Sequence, residues 1–98
     1  MFVKFKDGTT KNCSNPTEQK LFKGGEAAGW LCSFVMSGTM NSSDVDSVLT
    51  ADNISSLEFC NDDGNKLFAI DGYTKVTSAV VRYAENSGSV EIQLTKGV

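Results

Sequence analysis

Few side chains in this 98-residue chain could do chemistry: it has three cysteines and no histidine. Histidine is the commonest general base and metal ligand, so its absence removes the simplest route to an acid–base or metal site. Cys13, Cys32 and Cys60 follow no zinc-site spacing, and their odd number argues against a disulfide framework. We expect reduced thiols packed as small apolar residues, with a single Cys–Cys bridge left open. Cys13 lies near Lys11, but we interpret it as a thiol at the end of a strand and not as a nucleophile.

Two carboxylate pairs and one glycine pair are the other candidate sites. Asp44 and Asp46 suit the start of a helix, where acidic groups meet the positive end of the helix dipole. Asp62-Asp63 is typical of a turn, and it lacks the alternating ligands of a calcium loop. Gly24-Gly25 lacks the Lys-Ser/Thr of a phosphate-binding loop. We therefore predict a protein that is not an enzyme and that has no metal site and no cofactor.

The charge distribution limits the classes of partner. The net charge is -3, and the nine basic residues are scattered along the chain. Nucleic-acid binders concentrate positive charge to neutralise phosphates, so we expect no nucleic-acid partner, with a patch of Lys4, Lys6 and Lys11 left open. No apolar run reaches the length of a membrane span, and Met1 leads into an alternating strand and not into a signal peptide. We expect no membrane partner and synthesis in the cytoplasm, which reduced thiols also favour.

The hydrophobic pattern predicts one mostly β domain over 1–98. Alternating apolar residues predict strands, and Asp-Gly and Asn-Ser-Gly sequences predict the turns between them. The predicted strands cover 1–6, 9–13, 30–37, 57–60, 66–70, 73–84 and 89–95, and one short helix covers 42–52. We expect an antiparallel meander of six to seven strands, arranged as a sandwich or partial barrel. The strand 30–37 is apolar on both faces, which predicts a central position.

The segment 14–29 departs from the strand pattern. It contains the only proline, Pro16, and the Gly24-Gly25 pair. We predict a long loop here, with a short helical turn over 16–22 as the alternative. Loops of this length are often functional or mobile.

The candidate binding residues lie in and beside this segment. Leu21-Phe22 is an apolar pair in a polar, glycine-rich stretch, where it either docks a partner or covers one end of the predicted barrel. Trp30 either anchors the core or contacts a partner, since tryptophan is enriched at interaction hot spots. We assign as candidate binding residues Lys20, Phe22, Lys23 and Trp30.

Several short motifs occur in an order that covers nearly the whole chain. They are the N-terminal strand with Asp7-Gly8-Thr9, the helix 43–50, the strand 53–59, the Gly72-Tyr73-Thr74 start of a long strand, and the alternating end 90–94. This order resembles the small strand-rich proteins of tail and baseplate gene modules in phages and prophages of Gram-positive bacteria. The resemblance does not extend to 14–29, which matches no pattern of that family.

The resemblance implies a non-enzymatic virion or assembly protein that acts through protein–protein contacts as a homo-oligomer. Edge strands and loops would make these contacts, because edge strands offer unpaired backbone groups to a neighbouring subunit. The protein would be made in the bacterial host cytoplasm and could be carried in the virion.

Two other functions stay open at this stage. One is a small phage-encoded inhibitor that binds a host defence protein or sequesters its nucleotide signal. The acidic composition favours protein binding, although Lys20, Lys23 and Arg82 could form a phosphate pocket. The other is a host regulatory or adaptor domain with no viral link.

Overall fold

The structure is a computed structural model that describes residues 1–38, 42–84 and 87–97, with the backbone alone for 42, 81–84 and 87. About 65% of the chain is strand. In chain order the elements are β1 (Phe2–Lys4), β2 (Thr10–Lys23), β3 (Glu26–Gly38), α1 (Ser42–Val48), a 3-10 turn (Asn53–Ser55), β4 (Ser56–Cys60), β5 (Lys66–Asp71), β6 (Lys75–Ala84) and β7 (Ser87–Lys96).

The described strands form one antiparallel sheet in the order β5-β4-β1-β2-β3-β7-β6. The prediction of a mostly β fold, with six to seven antiparallel strands and one short helix, is confirmed. The sheet is not closed into a barrel. Strands β1, β2 and β3 follow one another as in a meander, whereas the β3–β4 and β5–β6 connections cross to the other side of the sheet.

The core lies inside the curl of this sheet. The Phe34 ring on β3 packs edge-on against the Phe59 ring on β4, with centroids 5.4 Å apart, although β1 and β2 separate these strands in the sheet order. The predicted alternation at the end of the chain is confirmed, because Val90, Ile92 and Leu94 are fully buried. The other large side chains that are fully buried in the described part of the chain are Val3, Phe5, Cys32, Phe34, Met36, Ile54, Leu57, Phe59 and Tyr73.

The segment 14–29 is neither a loop nor a helical turn, so that prediction is wrong. It forms the second half of β2 and the start of β3, which pair as a long hairpin. Gly24 and Gly25 make its two-residue turn, with φ angles of 60° and 83°. The type I′ turn, whose twist matches that of the two strands, requires a positive φ at both central residues. Glycine adopts a positive φ without steric cost.

A bulge in β2 accommodates Pro16. Ser14 lies opposite Val35 and Thr17 lies opposite Ser33, so Asn15 and Pro16 together face one β3 residue. Asn15 has a φ of 53°, a left-handed conformation that asparagine tolerates better than most residues. Proline has no N–H to donate to a ladder and is found in sheets mainly at edges and bulges.

The helix is shorter than predicted, and a buried asparagine fixes its end. Helix α1 ends at Val48 and is followed by the 3-10 turn, in place of a single helix over 42–52. Asn53 donates from Nδ2 to the Val48 carbonyl at 2.8 Å, and its Oδ1 accepts from the Asp7 N–H at 2.9 Å. One buried side chain thus joins the helix to the turn between β1 and β2.

We predict that Asn53→Asp lowers the free energy of unfolding by about 2 kcal/mol, because it replaces the buried donor to Val48 with a second acceptor. Urea unfolding followed by circular dichroism measures this. Asn65→Asp, at an exposed turn position, is the matched control and should stay within about 0.5 kcal/mol of the unmodified chain. Equal losses in the two variants would contradict the role given to Asn53.

Gly29 is a second position that the fold constrains. It has a φ of +140°, and a Cβ there would lie 2.2 Å from the Lys96 carbonyl oxygen of β7. We predict that Gly29→Ala lowers the free energy of unfolding by about 2 kcal/mol or more, since a backbone atom must move. Gly97→Ala is the control, because a Cβ there meets nothing within 4 Å. If both variants unfold at the same urea concentration, the close approach of β7 is not a constraint.

Candidate functional site

The candidate site is the part of the β2–β3 hairpin that extends past the rest of the sheet. Strand β7 pairs with β3 only over Trp30–Gly38, and β1 pairs with β2 only over Thr10–Asn12. Between Gly29 and the turn, the two hairpin strands therefore have only each other as sheet neighbours in the described part of the chain.

The bulge decides which β2 side chains lie on the core-facing side of this hairpin. Residues directly opposite one another in a sheet share a face. Glu18 lies opposite the buried Cys32, and Lys20 lies opposite Trp30. Phe22 follows on the same face as Lys20, because faces alternate along a strand. The buried part of this face ends at Cys32, so beyond it the face opens to solvent.

Lys20, Phe22 and Trp30 form an exposed cluster that we call the hairpin face. The Lys20 Nζ lies 5.8 Å from the centroid of the Phe22 ring and 5.8 Å from that of Trp30. The Phe22 side chain is 64% exposed, the largest exposure among the large apolar residues that the structure describes. Trp30 is half-buried and packs against the edge of the core. This packing matches the core-anchoring role that the sequence left open, and contact with a partner stays a prediction.

Three of the four predicted binding residues are thus brought together, and Lys23 is not. Lys23 lies opposite Glu26 beside the turn, one residue on from Phe22, so it belongs to the other face. A phosphate pocket that uses Lys20 and Lys23 on one face is not formed, and the side chain of Arg82 lies outside the described residues.

No family model matches this chain, and neither does any curated protein or solved structure. The resemblance to phage tail and baseplate proteins therefore stays a prediction.

A polar network that sequence reasoning missed anchors the base of the hairpin. The buried Tyr73 hydroxyl donates to Glu18 Oε2 at 2.6 Å, across 55 residues of sequence. Lys96 Nζ donates to the Asp71 carbonyl at 2.7 Å and lies 4.9 Å from the Tyr73 ring centroid and 6.0 Å from that of Trp30. The network ties β2 to the β5–β6 connection and to the end of β7. No local sequence signal joins positions so far apart.

Burial also determines the protonation of the groups beneath the hairpin face. Burial, together with the hydrogen bond to Glu18, raises the pKa of Tyr73 well above its ordinary value, so its phenol is neutral and donates. Burial raises the pKa of Cys32 to about 12 and that of Cys13 to about 11. Both thiols are therefore protonated at neutral pH and are weak nucleophiles. All three cysteines are buried and unbridged, which confirms the prediction of packed thiols.

The other sequence candidates are dispersed by the fold. Lys11 lies opposite Val3 and shares its face, whereas Lys4 is on the other face of β1, so the patch left open for Lys4, Lys6 and Lys11 is not formed. Lys6 is paired with Asp52 at 3.0 Å. A cleft of about 210 Å³ beside β1 is lined by Lys4, Phe5, Lys6, Ser56 and Glu58. Its lining therefore includes charges of both signs.

The two carboxylate pairs take structural positions. Asp44 and Asp46 lie in α1, and Asp62 accepts a hydrogen bond from the N-terminal amine. Within residues 1–38, 42–84 and 87–97, no three acidic or cysteine side chains are grouped as metal ligands would be. In the same ranges, no helix has the length and apolar character needed to cross a membrane.

The Tyr73–Glu18 contact predicts a pH dependence of stability. An unfolded tyrosine loses its proton near pH 10, whereas folded Tyr73 keeps it to higher pH, so the free energy of unfolding falls as pH rises past about 10. Tyr73→Phe should cost about 1 kcal/mol at pH 7 through the lost hydrogen bond. Above pH 10 the difference between the two stability curves should shrink by up to about 1.4 kcal/mol per pH unit, so that the curves meet and then cross before about pH 12.

Urea unfolding between pH 7 and 12 measures this difference. The raised thiol pKa values act in both proteins, so subtracting one curve from the other isolates Tyr73. A stability difference that does not change with pH would show that the phenol is not held neutral by the fold.

Proposed function

We propose that this chain is a non-enzymatic assembly protein that acts through protein–protein contacts made by its β2–β3 hairpin. The observation that carries the proposal is the hairpin face. There Phe22 is 64% exposed and lies beside Lys20 and Trp30. Exposed apolar side chains that lie together mark interaction sites more often than single exposed ones do.

The composition of the hairpin face suits a protein partner. Aromatic residues are enriched in the centres of protein interfaces, and tryptophan is prominent among the residues that contribute most to affinity. Burying an exposed phenylalanine side chain contributes on the order of 2 kcal/mol. Lys20 lies between the Phe22 and Trp30 rings, and it adds a cation that an acidic group of a partner could pair with.

The way the hairpin is anchored also supports docking. Loops that order on binding lose conformational entropy, which lowers affinity. Here Glu18 is tied to Tyr73, and Trp30 lies opposite Lys96 of β7, so the base of the hairpin face is held before any partner arrives. Only the residue pairs of the hairpin between Gly29 and the turn lack a neighbouring strand in the described part of the chain.

The resemblance to tail and baseplate proteins supports a viral setting for this role, with the protein made in the host cytoplasm and then incorporated in a particle. A phage-encoded inhibitor that binds a host protein would use the same kind of surface. The two differ in the partner, which is a second copy or another assembly protein in the first case and a host protein in the second.

We predict that a photo-cross-linking residue, p-benzoylphenylalanine, placed at Phe22 forms adducts when the chain is co-expressed with the products of its neighbouring genes. Phe22 is 64% exposed, so a protein docked on the hairpin face would contact the residue at this position. Denaturing electrophoresis and mass spectrometry identify the adduct as a second copy or as one of the co-expressed proteins. The same residue at the exposed Ala51, beyond α1, is the control.

Adducts from position 22 and not from position 51 support the proposal. Equal labelling at the two positions, or no adduct from position 22, would overturn it. An adduct with one stoichiometric host protein alone would replace the assembly role with the inhibitor role.

A further inference from the structure

One edge of β2 is long and has no strand beside it. Strand β3 pairs with one edge of β2 along its length, whereas β1 covers the other edge only over Thr10–Asn12, followed by a bond from the Cys13 N–H to the Met1 carbonyl at 3.1 Å. In the described part of the chain, no strand pairs with this edge from Ser14 to Lys23. Such an edge offers a row of backbone donors and acceptors to another strand.

The symmetry of a pair of identical strands limits how a second copy could use this edge. Two copies of β2 related by a twofold axis run antiparallel, with the axis perpendicular to the sheet. Residues that face each other across the axis then lie on the same face of the joined sheet. Glu18 and Lys20 lie on one face of β2, and Thr17, Gln19 and Leu21 lie on the other. The axis must therefore lie between the two copies of a single residue, which face each other across it.

Charge selects one of these registers. With the axis at Gln19, Glu18 of each copy faces Lys20 of the second copy, which gives two opposite-charge pairs. With the axis at Glu18 or at Lys20, identical charges face each other directly. Directly opposed like charges destabilise a sheet, whereas opposite charges stabilise it by up to about 1 kcal/mol per pair.

The residues at the two ends agree with the Gln19 register. Thr17 faces Leu21 of the second copy, and Phe22 lies level with Pro16 of the second copy, so the exposed ring meets an apolar neighbour. Pro16 has no N–H to continue the ladder, and the hairpin turn begins just past Phe22, so the paired segment is bounded at both ends.

The contact between Tyr73 and Glu18 prepares the pair. The Tyr73 hydroxyl is bonded to Glu18 Oε2 at 2.6 Å, which restrains the carboxylate and leaves Oε1 as an acceptor for Lys20 of the second copy. Lysine and proline on an edge strand normally discourage non-specific pairing. In the Gln19 register Lys20 faces Glu18 of the second copy, and Pro16 lies at the end of the paired segment. These residues would therefore reject other strands while accepting a second copy.

We propose that two copies of this chain associate by antiparallel pairing of their β2 edges about a twofold axis at Gln19, which joins two seven-stranded sheets into one. This proposal rests on the proposed assembly function and names a second copy as the partner of the hairpin.

The test is a charge exchange read out by sedimentation velocity over a concentration series. In both Glu18→Lys and Lys20→Glu, like charges face each other twice, so the dimer dissociation constant should rise about tenfold or more. The double variant Glu18→Lys/Lys20→Glu restores both opposite-charge pairs and should dimerise like the unmodified chain. Because Glu18→Lys also removes the Tyr73 contact, circular dichroism checks the fold of each variant, and Lys20→Glu carries the test if Glu18→Lys unfolds.

A cysteine substitution tests the register independently. In Gln19→Cys the new thiol faces its own counterpart across the axis, so mild oxidation should give a covalent dimer. Leu21→Cys on the same face is the control, since residue 21 faces Thr17 of the second copy and should cross-link at least tenfold more slowly. The native thiols are buried and should not interfere.

The outcomes separate this proposal from the one on which it rests. A chain that stays at 10.5 kDa at every concentration overturns the β2 pairing, and the assembly function survives if position 22 still cross-links to a co-expressed protein. A dimer that is insensitive to Lys20→Glu and does not cross-link through Gln19→Cys uses another surface, which also overturns the pairing. If there is neither a dimer nor an adduct from position 22, both proposals fail.

Discussion

The bulge at Asn15-Pro16 sets the geometry on which the hairpin depends. Without the extra residue, strand alternation from the buried Cys13 would send Thr17 and Gln19 to the core-facing side of β2. The bulge shifts the register, so that Glu18 takes that side and Lys20 and Phe22 follow it. This one bulge therefore determines whether the core-facing side of the hairpin end carries Lys20 and Phe22 or instead Leu21 and Lys23.

The register also explains why polar residues are tolerated on a core-facing side. Glu18 lies where the core ends, and its carboxylate is satisfied by the neutral phenol of Tyr73. Lys96 of β7 contacts the same region, because its ammonium group donates to the Asp71 carbonyl and lies near the rings of Tyr73 and Trp30. These groups replace apolar packing at the mouth of the core with directional contacts. They hold the hairpin at its base while its tip remains in solvent.

Much of the fold follows from local patterns. The alternation of Val90, Ile92 and Leu94 and the Asp63-Gly64 turn sufficed to place their strands, because each signal lies within a few residues. The segment 14–29 could not be placed in this way. Its proline and glycines predict a loop, whereas in the structure Pro16 lies in a bulge and Gly24-Gly25 forms a tight turn, both inside one hairpin.

The candidate site was predictable only in part, for a similar reason. Lys20 and Phe22 are two residues apart, so any strand places them together, and Trp30 joins them only through the hairpin register. Lys23 was separated from them by the same alternation. The contacts of Tyr73 and Lys96 depend on how the crossing connections return to the hairpin. The spacing of residues in the sequence does not predict the course of these connections.

In the described part of the chain, the exposed edges of the sheet differ in their residues in a way that bears on assembly. Edge strand β5 carries Leu67 and Phe68, with 51% and 36% exposure, and the Phe68 ring is stacked on Phe59. That stacking continues the core outward, and the strand is only six residues long. The open part of β2 is longer and carries one acidic and one basic residue on one face, Glu18 and Lys20. An edge that only needed protection could carry lysine alone, because like charges repel every approaching copy. Placing Glu18 and Lys20 on either side of Gln19 instead makes the edge self-complementary, which is the property that an isologous contact requires.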